Sequence, residues 1–331
     1  MTRARDEALA AALGLDPSRI TISSIGGGSG FASTLRIQSG DKQFFVKTGI
    51  GESSRIMFEG EYESLNAIYN TAPELCPRPI AHGELHSGSY FLATEFLELT
   101  GGFSRRRGSG GGDTLALKLG KLHSQPAPSN GKYGFPVTTC CGSTPQDNTY
   151  ETTWPSFFIN RRLLPILKAC IESNGSQPDL TNHVNRTIPV ANYLLSRLSS
   201  PSSQPVVVHG DLWSGNQSNG SIPPRIPNPT PVVFDPSGCY APAEYDHGIM
   251  KMFGGFGANF WKEYETVVPR GGPCDEYEDR VTLYRLYHTL NHFALFGGGY
   301  KSNAIGIMQE LQIKYADRID VQRKPIVLEG N

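Results

Sequence analysis

The sequence predicts an α+β chain of two lobes, a strand-rich small unit over residues 1–98 and a larger, mainly helical unit over 99–331. Three observations carry this. Short runs of alternating apolar residues crowd the first hundred positions, whereas apolar spacings of three and four dominate the rest. Between them the composition breaks at Thr100-Gly101-Gly102, Ser104-Arg105-Arg106-Arg107 and Gly108-Ser109-Gly110-Gly111-Gly112, a flexible and locally basic loop whose arginines read as solvated. The length of 331 residues also suits about two domains.

Taken in order, residues 5–14 read as a short helix, and Ile20, Ile22 and Ile25 as a strand running into Gly26-Gly27-Gly28-Ser29-Gly30. Strands over about Phe31–Gln38 and Gln43–Lys47 flank the turn Ser39-Gly40-Asp41. Phe58, Tyr62, Leu65 and Ile68 mark an amphipathic helix over 54–70, and strands follow at Pro79–Glu84 and Ser89–Leu97. Beyond the loop, helical patterns cover about 113–124, 154–172, 178–199, 244–266 and 275–318, with two short apolar strands at Pro205–Val208 and Pro231–Phe234. No internal repeat is visible.

Charge excludes some functions. Lys and Arg number 30 against 31 Asp and Glu, with no long block of one sign, which disfavours a general nucleic-acid or polybasic membrane role. Gly and Pro together reach about 18%, below the roughly 25–30% of low-complexity chains. The six cysteines contain no C-x-x-C pair, and the N-terminus lacks the apolar stretch of a signal peptide. No run approaches the ~18 apolar residues of a membrane span. A cytoplasmic protein with free thiols is the expectation.

Chemistry concentrates at Val206-Val207-Val208-His209-Gly210-Asp211-Leu212-Trp213-Ser214-Gly215-Asn216 and, nineteen residues after Asn216, at Asp235, which closes the run Val232-Val233-Phe234. A buried strand that delivers His-x-Asp, an Asn five residues on, and a second strand ending in Asp together bring proton- and metal-handling groups to one place. Phosphoryl transfer from ATP needs this set: a carboxylate to accept the nucleophile's proton and two oxygen ligands for Mg²⁺. The Asp-to-Asn spacing matches the kinase catalytic loop.

The small unit fits the same chemistry. Gly26, Gly27 and Gly28 lie between strands, where backbone N–H groups can close over phosphates, although a hairpin turn explains glycines in isolation equally well. Neither G-x-G-x-x-G nor G-x-x-x-x-G-K-[ST] is present, so Rossmann and Walker-type readings lose support. Lys47 ends an apolar strand about 20 residues on, a position suited to gripping the α- and β-phosphates. Its candidate partners are Glu59, Glu61 and Glu63; Glu61, four residues before Leu65 on the inward face, is preferred. Glu95, Phe96 and Leu97 end the last small-unit strand where a kinase has its hinge, which predicts adenine contacts from their backbone.

With these residues in view, the chain resembles the fructosamine kinase and ketosamine 3-kinase family, a branch of the aminoglycoside phosphotransferase-like kinases. The stretch from His209 to Asn216, H-G-D-L-W-S-G-N, carries most of the likeness. Met57-Phe58-Glu59-Gly60-Glu61, Lys118–His123, Thr138–Gln146, Phe234-Asp235-Pro236 through Tyr245-Asp246, and Phe253-Gly254-Gly255-Phe256 support it over about residues 20–320. The resemblance implies a two-lobed protein-kinase-like fold with a small antiparallel-sheet lobe. It also implies phosphorylation of a sugar hydroxyl, at O3, of a ketosamine carried on a protein or a free amine, in protein deglycation. By resemblance, Lys47 and Glu61 form the phosphate-gripping ion pair, Asp211 is the catalytic base, Asn216 and Asp235 hold Mg²⁺, and His209 and Asp246 brace the catalytic loop. Two departures stand out. Ser29 occupies the glycine-loop position where many members carry cysteine, which removes a thiol switch there. The stretches Arg105–Gly112 and Asn219–Pro229 read as lengthened loops beside the site.

A ketosamine pocket needs polar groups and a flat apolar wall. Trp213, Trp154 and Arg161 are the candidates; for Trp154, as for Phe157, a core position is an equally good reading. His288 and His292, four apart on a helix, mimic a metal pair, but no third ligand accompanies them in sequence and a structural role is preferred. The rival functions are a kinase for another small hydroxylated molecule, such as an aminoglycoside, choline or homoserine, and a catalytically silent, partner-binding pseudokinase. Lys47, Asp211, Asn216 and Asp235 together argue against the latter. A protein Ser/Thr kinase is disfavoured by the missing A-P-E stretch. Expected partners are a glycated protein or small ketosamine, with neither nucleic acid nor membrane; nothing in the sequence fixes the oligomeric state.

Overall fold

The computed structural model describes residues 7–26, 32–86, 88–100 and 112–319. In the small lobe, α1 (Glu7–Leu13) precedes β1 (Thr21–Ser24), β2 (Ser33–Ser39), β3 (Lys42–Ile50), α2 (Glu52–Thr71), β4 (Pro79–Glu84) and β5 (Ser89–Glu95). The strands form an antiparallel sheet in the order β1-β2-β3-β5-β4. Alternation along β3 sorts its two faces: Phe44 and Val46 enter a core with Leu9, Leu13 and Ile37, while Phe45 and Lys47 face the interlobe cleft. Along α2, Phe58, Glu61, Leu65 and Ile68 share the buried stripe, so an acid sits among core residues. Leu65 and Ile68 belong to the large-lobe core, which makes α2 a bridge between lobes.

The chain leaves through β6 (Glu98–Leu99), which pairs not with the small sheet but with a large-lobe strand. The large lobe runs α3 (Leu115–His123), the hairpin β7 (Thr139–Cys141) and β8 (Thr144–Gln146), α4 (Trp154–Phe158), α5 (Leu164–Asn174), α6 (Pro178–Ser196), β9 (Val206–Val208), β10 (Gln217–Ile222), β11 (Ile226–Val233), β12 (Cys239–Ala241), α7 (Glu244–Phe253), α8 (Ala258–Val267), α9 (Tyr277–Phe296) and α10 (Tyr300–Lys314). No described helix is long and apolar enough to cross a membrane.

Four sequence expectations need correction. The helix expected over 154–172 is interrupted by a π-type turn at Ile159–Leu163. That over 244–266 splits into α7 and α8 where Gly254 and Gly255 take φ of 69° and 94°, and that over 275–318 splits at Gly297 and Gly298, both at 66°. Gly254 and Gly297 combine positive φ with ψ of −157° and −145°, a backbone turn open to glycine that takes the chain out of the helical path. Finally, Asn219–Pro229 is not a loop: it lies largely within the β10–β11 hairpin. The prolines at 227, 229 and 231 are tolerated because β11 is a sheet edge: Pro231, opposite Asn219, has its missing N–H on the outer side, and Pro227 and Pro229 lie where the register shifts between Gly220 and Ile222. Val233, next in that series, turns its N–H away from the hairpin to the Leu75 carbonyl at 2.8 Å.

Candidate active site

The catalytic-loop segment is held from beneath. Strand β9, buried throughout, delivers His209, Gly210 and Asp211 into the cleft. Gly210 has φ of 79°, and a Cβ there would lie 1.9 Å from the Ser237 carbonyl oxygen, so only glycine fits. The N–H groups of His209 and Gly210 donate to the two carboxylate oxygens of Asp246, at 2.8 and 2.7 Å. Asp246 is fully buried and also meets His123 Nε2 at 3.2 Å, while His123 Nδ1 lies 2.8 Å from the Tyr264 hydroxyl. Burial alone would raise the Asp246 pKa, but the His123 contact and the loop amide hold it below the usual carboxylate range. The Asp211 N–H donates to His209 Nδ1 at 3.3 Å, which leaves the proton on Nε2 to be donated to the Phe234 carbonyl at 3.1 Å. His209 thereby ties the two segments that end in Asp211 and Asp235.

Asn216 donates its side-chain amide to the Asp211 carbonyl at 2.9 Å and to Asp211 Oδ2 at 3.2 Å. Both donors point at Asp211, and the amide oxygen is left as an acceptor. Burial, and then the charge of Asp235, pushes the Asp211 carboxyl up to about 8. Lys47 Nζ donates to both oxygens of Glu61 at 2.8 Å and to Asp235 Oδ1 at 2.8 Å. Burial would lower the lysine's pKa, but the two carboxylates reverse this and leave it well above its ordinary value, hence charged. Asp235 itself has φ of 57°, a left-handed conformation that bends the chain after Phe234 and faces the carboxylate into the cleft.

Two adjoining cavities share Ala32, Lys47, Glu61 and Asp235. One, of about 200 Å³, reaches Gly26, Phe45, Glu95, Phe96 and Leu97. The other, of about 160 Å³, reaches Met57, Cys140, Asp211, Trp213 and Asn216. The first is largely apolar apart from the shared charges, and the second is open beside the Asp211 carboxylate.

The expected site residues distribute unevenly. Lys47, Glu61, Asp211, Asn216 and Asp235 come together, and Gly26, Glu95, Phe96 and Leu97 line the first cavity. Gly27 and Gly28 lie outside the described residues. The Glu95 carboxylate is engaged by Arg225 and by the Arg78 N–H at 2.9 Å, so its backbone is what remains for a ligand. Trp213 is 39% exposed, covers Gly215 and packs on Phe253 with ring centroids 5.8 Å apart. Two substrate-contact expectations are corrected. Trp154 is buried among Phe157, Phe158, Tyr245 and Tyr284 and donates its indole N–H to the Tyr284 hydroxyl at 3.0 Å, so it is a core residue. Arg161 pairs with Asp147 at 2.6 Å and Glu151 at 2.8 Å and lines neither cavity, because these carboxylates draw its guanidinium aside. Conversely, the β7–β8 hairpin, which brings Cys140, Cys141 and Gly142 to Asp211, and the brace His123 had no chemical signal in the sequence beyond the stretches Thr138–Gln146 and Lys118–His123.

A family model described as fructosamine kinase matches residues 1–314. A rice (Oryza sativa subsp. japonica) protein named protein-ribulosamine 3-kinase, chloroplastic, is 36% identical over 312 residues, covering 91% of this chain and 84% of its own length. Mouse (Mus musculus) ketosamine-3-kinase is 30% identical over 309 residues, covering 86% and 93%. Among solved structures, one from Thermobifida fusca assigned to fructosamine-3-kinase superposes with a TM-score of 0.74 at 20% identity, over 95% of this chain and 100% of its own. Aminoglycoside phosphotransferase APH(4)-Ia shares the fold with a TM-score of 0.55 at 12% identity, over 93% and 97%. The fold is thus the two-lobed, kinase-like α+β architecture of these phosphotransferases, and the chain belongs to the fructosamine kinase family.

Proposed function

We propose that the protein transfers the γ-phosphoryl group of ATP to a sugar hydroxyl, O3, of a ketosamine borne by a protein or a free amine, and so acts in protein deglycation. The observation that carries this is the meeting in one cleft of Asp211, oriented by Asn216, with the Lys47–Glu61–Asp235 ion-pair cluster, beside an exposed tryptophan. The nucleotide lies along the first cavity, its adenine against the backbone of Glu95, Phe96 and Leu97 and its phosphates toward Gly26, the first of the glycine run expected to close over them. Lys47, pinned by Glu61, presents a fixed positive charge to the phosphates. Asp211 takes the proton as the hydroxyl oxygen attacks the γ-phosphorus and ADP departs; a carboxyl titrating near neutrality suits a general base. Trp213 supplies the flat wall against which the sugar is positioned.

Mg²⁺ fits the donor set. The free amide oxygen of Asn216 and the partly exposed carboxylate of Asp235 are hard oxygen ligands on the same cavity. Bound there, the ion neutralises phosphate charge. A division of the chain into lobes near residue 98 is supported by β6, which pairs with β10 and not with the small sheet. A cytoplasmic location is in keeping with the free state of Cys76, Cys140, Cys141, Cys170, Cys239 and Cys274.

The test is incubation with ATP and Mg²⁺ against a panel of ketosamines, aminoglycosides and unglycated protein, read by mass spectrometry. A gain of about 80 Da on ketosamines, one phosphoryl group, is expected. Phosphorylation confined to aminoglycosides would overturn the substrate class, and absence of any nucleotide turnover would overturn the kinase reading.

A further inference from the structure

One buried histidine beside the active site is left without a normal partner. His288, on α9, is fully buried, its Nε2 contacts no hydrogen-bonding atom, and the neighbour of its Nδ1 is the Cys141 sulfur at 4.0 Å. Cys141 is itself 3.8 Å from Asp211 Oδ1. A thiol at 4.0 Å is a weak partner for a buried imidazole nitrogen, so Nδ1, the nitrogen that faces Cys141, is placed to take a ligand on that side. We propose that Cys141, His288 and Asp211 form a binding site for a borderline-soft divalent transition ion, zinc by its ligand set, and that the ion turns the kinase off by occupying the base.

The geometry is close to what zinc needs. One ligand atom from each residue lies within 4.8 Å of the other two. Tetrahedral zinc, with bonds of about 2.3 Å to sulfur and 2.0–2.2 Å to nitrogen and oxygen, holds its ligand atoms roughly 3.3–3.6 Å apart. A modest inward shift therefore closes the triad. Its members sit on a hairpin, a long helix and the braced catalytic loop, and the Cys141 carbonyl is fixed to α9 by the Asn291 amide at 3.1 Å. Of the three, Asp211 lines the open cavity, together with Cys140 and Gly142 on either side of the buried Cys141, so the ion would enter from that side. Burial holds His288 neutral, its pKa lowered to about 3, so a lone pair is available. The Cys141 thiol is protonated, raised by burial and by Asp211, so binding replaces S–H by S–Zn and releases that proton to solvent. Thiolate and imidazole ligands select against Mg²⁺, which keeps this site distinct from Asn216 and Asp235. The sequence pair His288 and His292 does not ligate together: His292 Nδ1 donates to the His288 carbonyl at 2.8 Å, and the missing ligands come from two other elements.

The off-switch, though not the metal site, rests on Asp211 being the base, and the experiment separates the two. Metal-free full-length protein is titrated with Co²⁺, then with Zn²⁺. Expected are one equivalent of tetrahedral cobalt with a thiolate-to-metal band in the near ultraviolet, its displacement by zinc, and release of a proton. Cys141→Ser should abolish the band, His288→Gln should weaken zinc binding at least about tenfold, and Cys140→Ser should alter neither. With saturating ATP and Mg²⁺, one equivalent of zinc should stop turnover and a chelator should restore it. Absence of a thiolate–cobalt band in folded wild-type protein, which needs no variant to fold, overturns the site, as does a band that survives in Cys141→Ser. A Cys141-dependent band with undiminished turnover keeps the site, overturns the off-switch and removes Asp211 as the base.

Discussion

Lys47 and Asp235 stand 188 residues apart in the chain, yet the lysine ammonium donates to the aspartate carboxylate at 2.8 Å across the interlobe cleft while holding Glu61 with its other hydrogens. One cation thus joins the small-lobe sheet, the bridging helix α2 and the bend after β11 that carries Asp235. Lys47→Met should lower kcat/KM for ATP by at least about 10²-fold, the scale for loss of one fixed positive donor at a transferring phosphoryl group. Steady-state kinetics with varied ATP, alongside circular dichroism to establish folding, checks this; an unchanged KM and kcat would remove Lys47 from the phosphate site.

Asp211→Asn keeps the shape of the side chain and a partner for Asn216 but cannot accept a proton. Turnover should fall by at least ~10²-fold while ATP binding and melting temperature stay near wild type. Calorimetric nucleotide binding beside a turnover assay separates the chemical step from binding, and near-normal turnover in the folded variant excludes Asp211 as the base.

Trp213 lines the cavity that holds Asp211 and not the one that reaches Glu95, Phe96 and Leu97. Trp213→Ala should raise the KM for a ketosamine far more than that for ATP, through loss of apolar contact on the order of 1–3 kcal/mol. If the indole served only to pack against Gly215 and Phe253, both constants and the melting temperature would suffer together.

His247, buried on α7 with Nδ1 2.9 Å from the Tyr277 hydroxyl, is kept neutral: burial, and then His123, lowers its pKa to about 3. The unfolded chain takes up the proton near pH 6.5, so below that value protons favour the unfolded state. Stability from this residue is complete above pH 6.5 and is lost as pH falls toward 3, at about 1.4 kcal/mol per pH unit. His247→Phe, which retains the aromatic packing on Trp261 and Tyr264, should flatten urea-midpoint profiles between pH 6.5 and 4. Parallel profiles for variant and wild type would contradict a neutral buried His247.

Much of this protein is local and therefore legible in its sequence. The spacing from Asp211 to Asn216 and the strand ending at Asp235 are short-range patterns, and Glu61 is identifiable because helical periodicity places it on the stripe of Phe58, Leu65 and Ile68. The alternation in β3 likewise assigns Lys47 to the face opposite Phe44 and Val46. What the tertiary structure alone decided are meetings between distant segments. Trp154 and Trp213 look alike as aromatic candidates, but Tyr284, 130 residues on, claims the indole of Trp154 for the core. The prolines of β11 became tolerable only once that strand took a sheet edge, and His123, Cys141 and His288 acquired chemical surroundings only when α3, the β7–β8 hairpin and α9 packed around the catalytic loop. Periodicity and propensity fix which face a residue occupies along its own element; which element that face meets is set by burial and close packing summed over the whole chain.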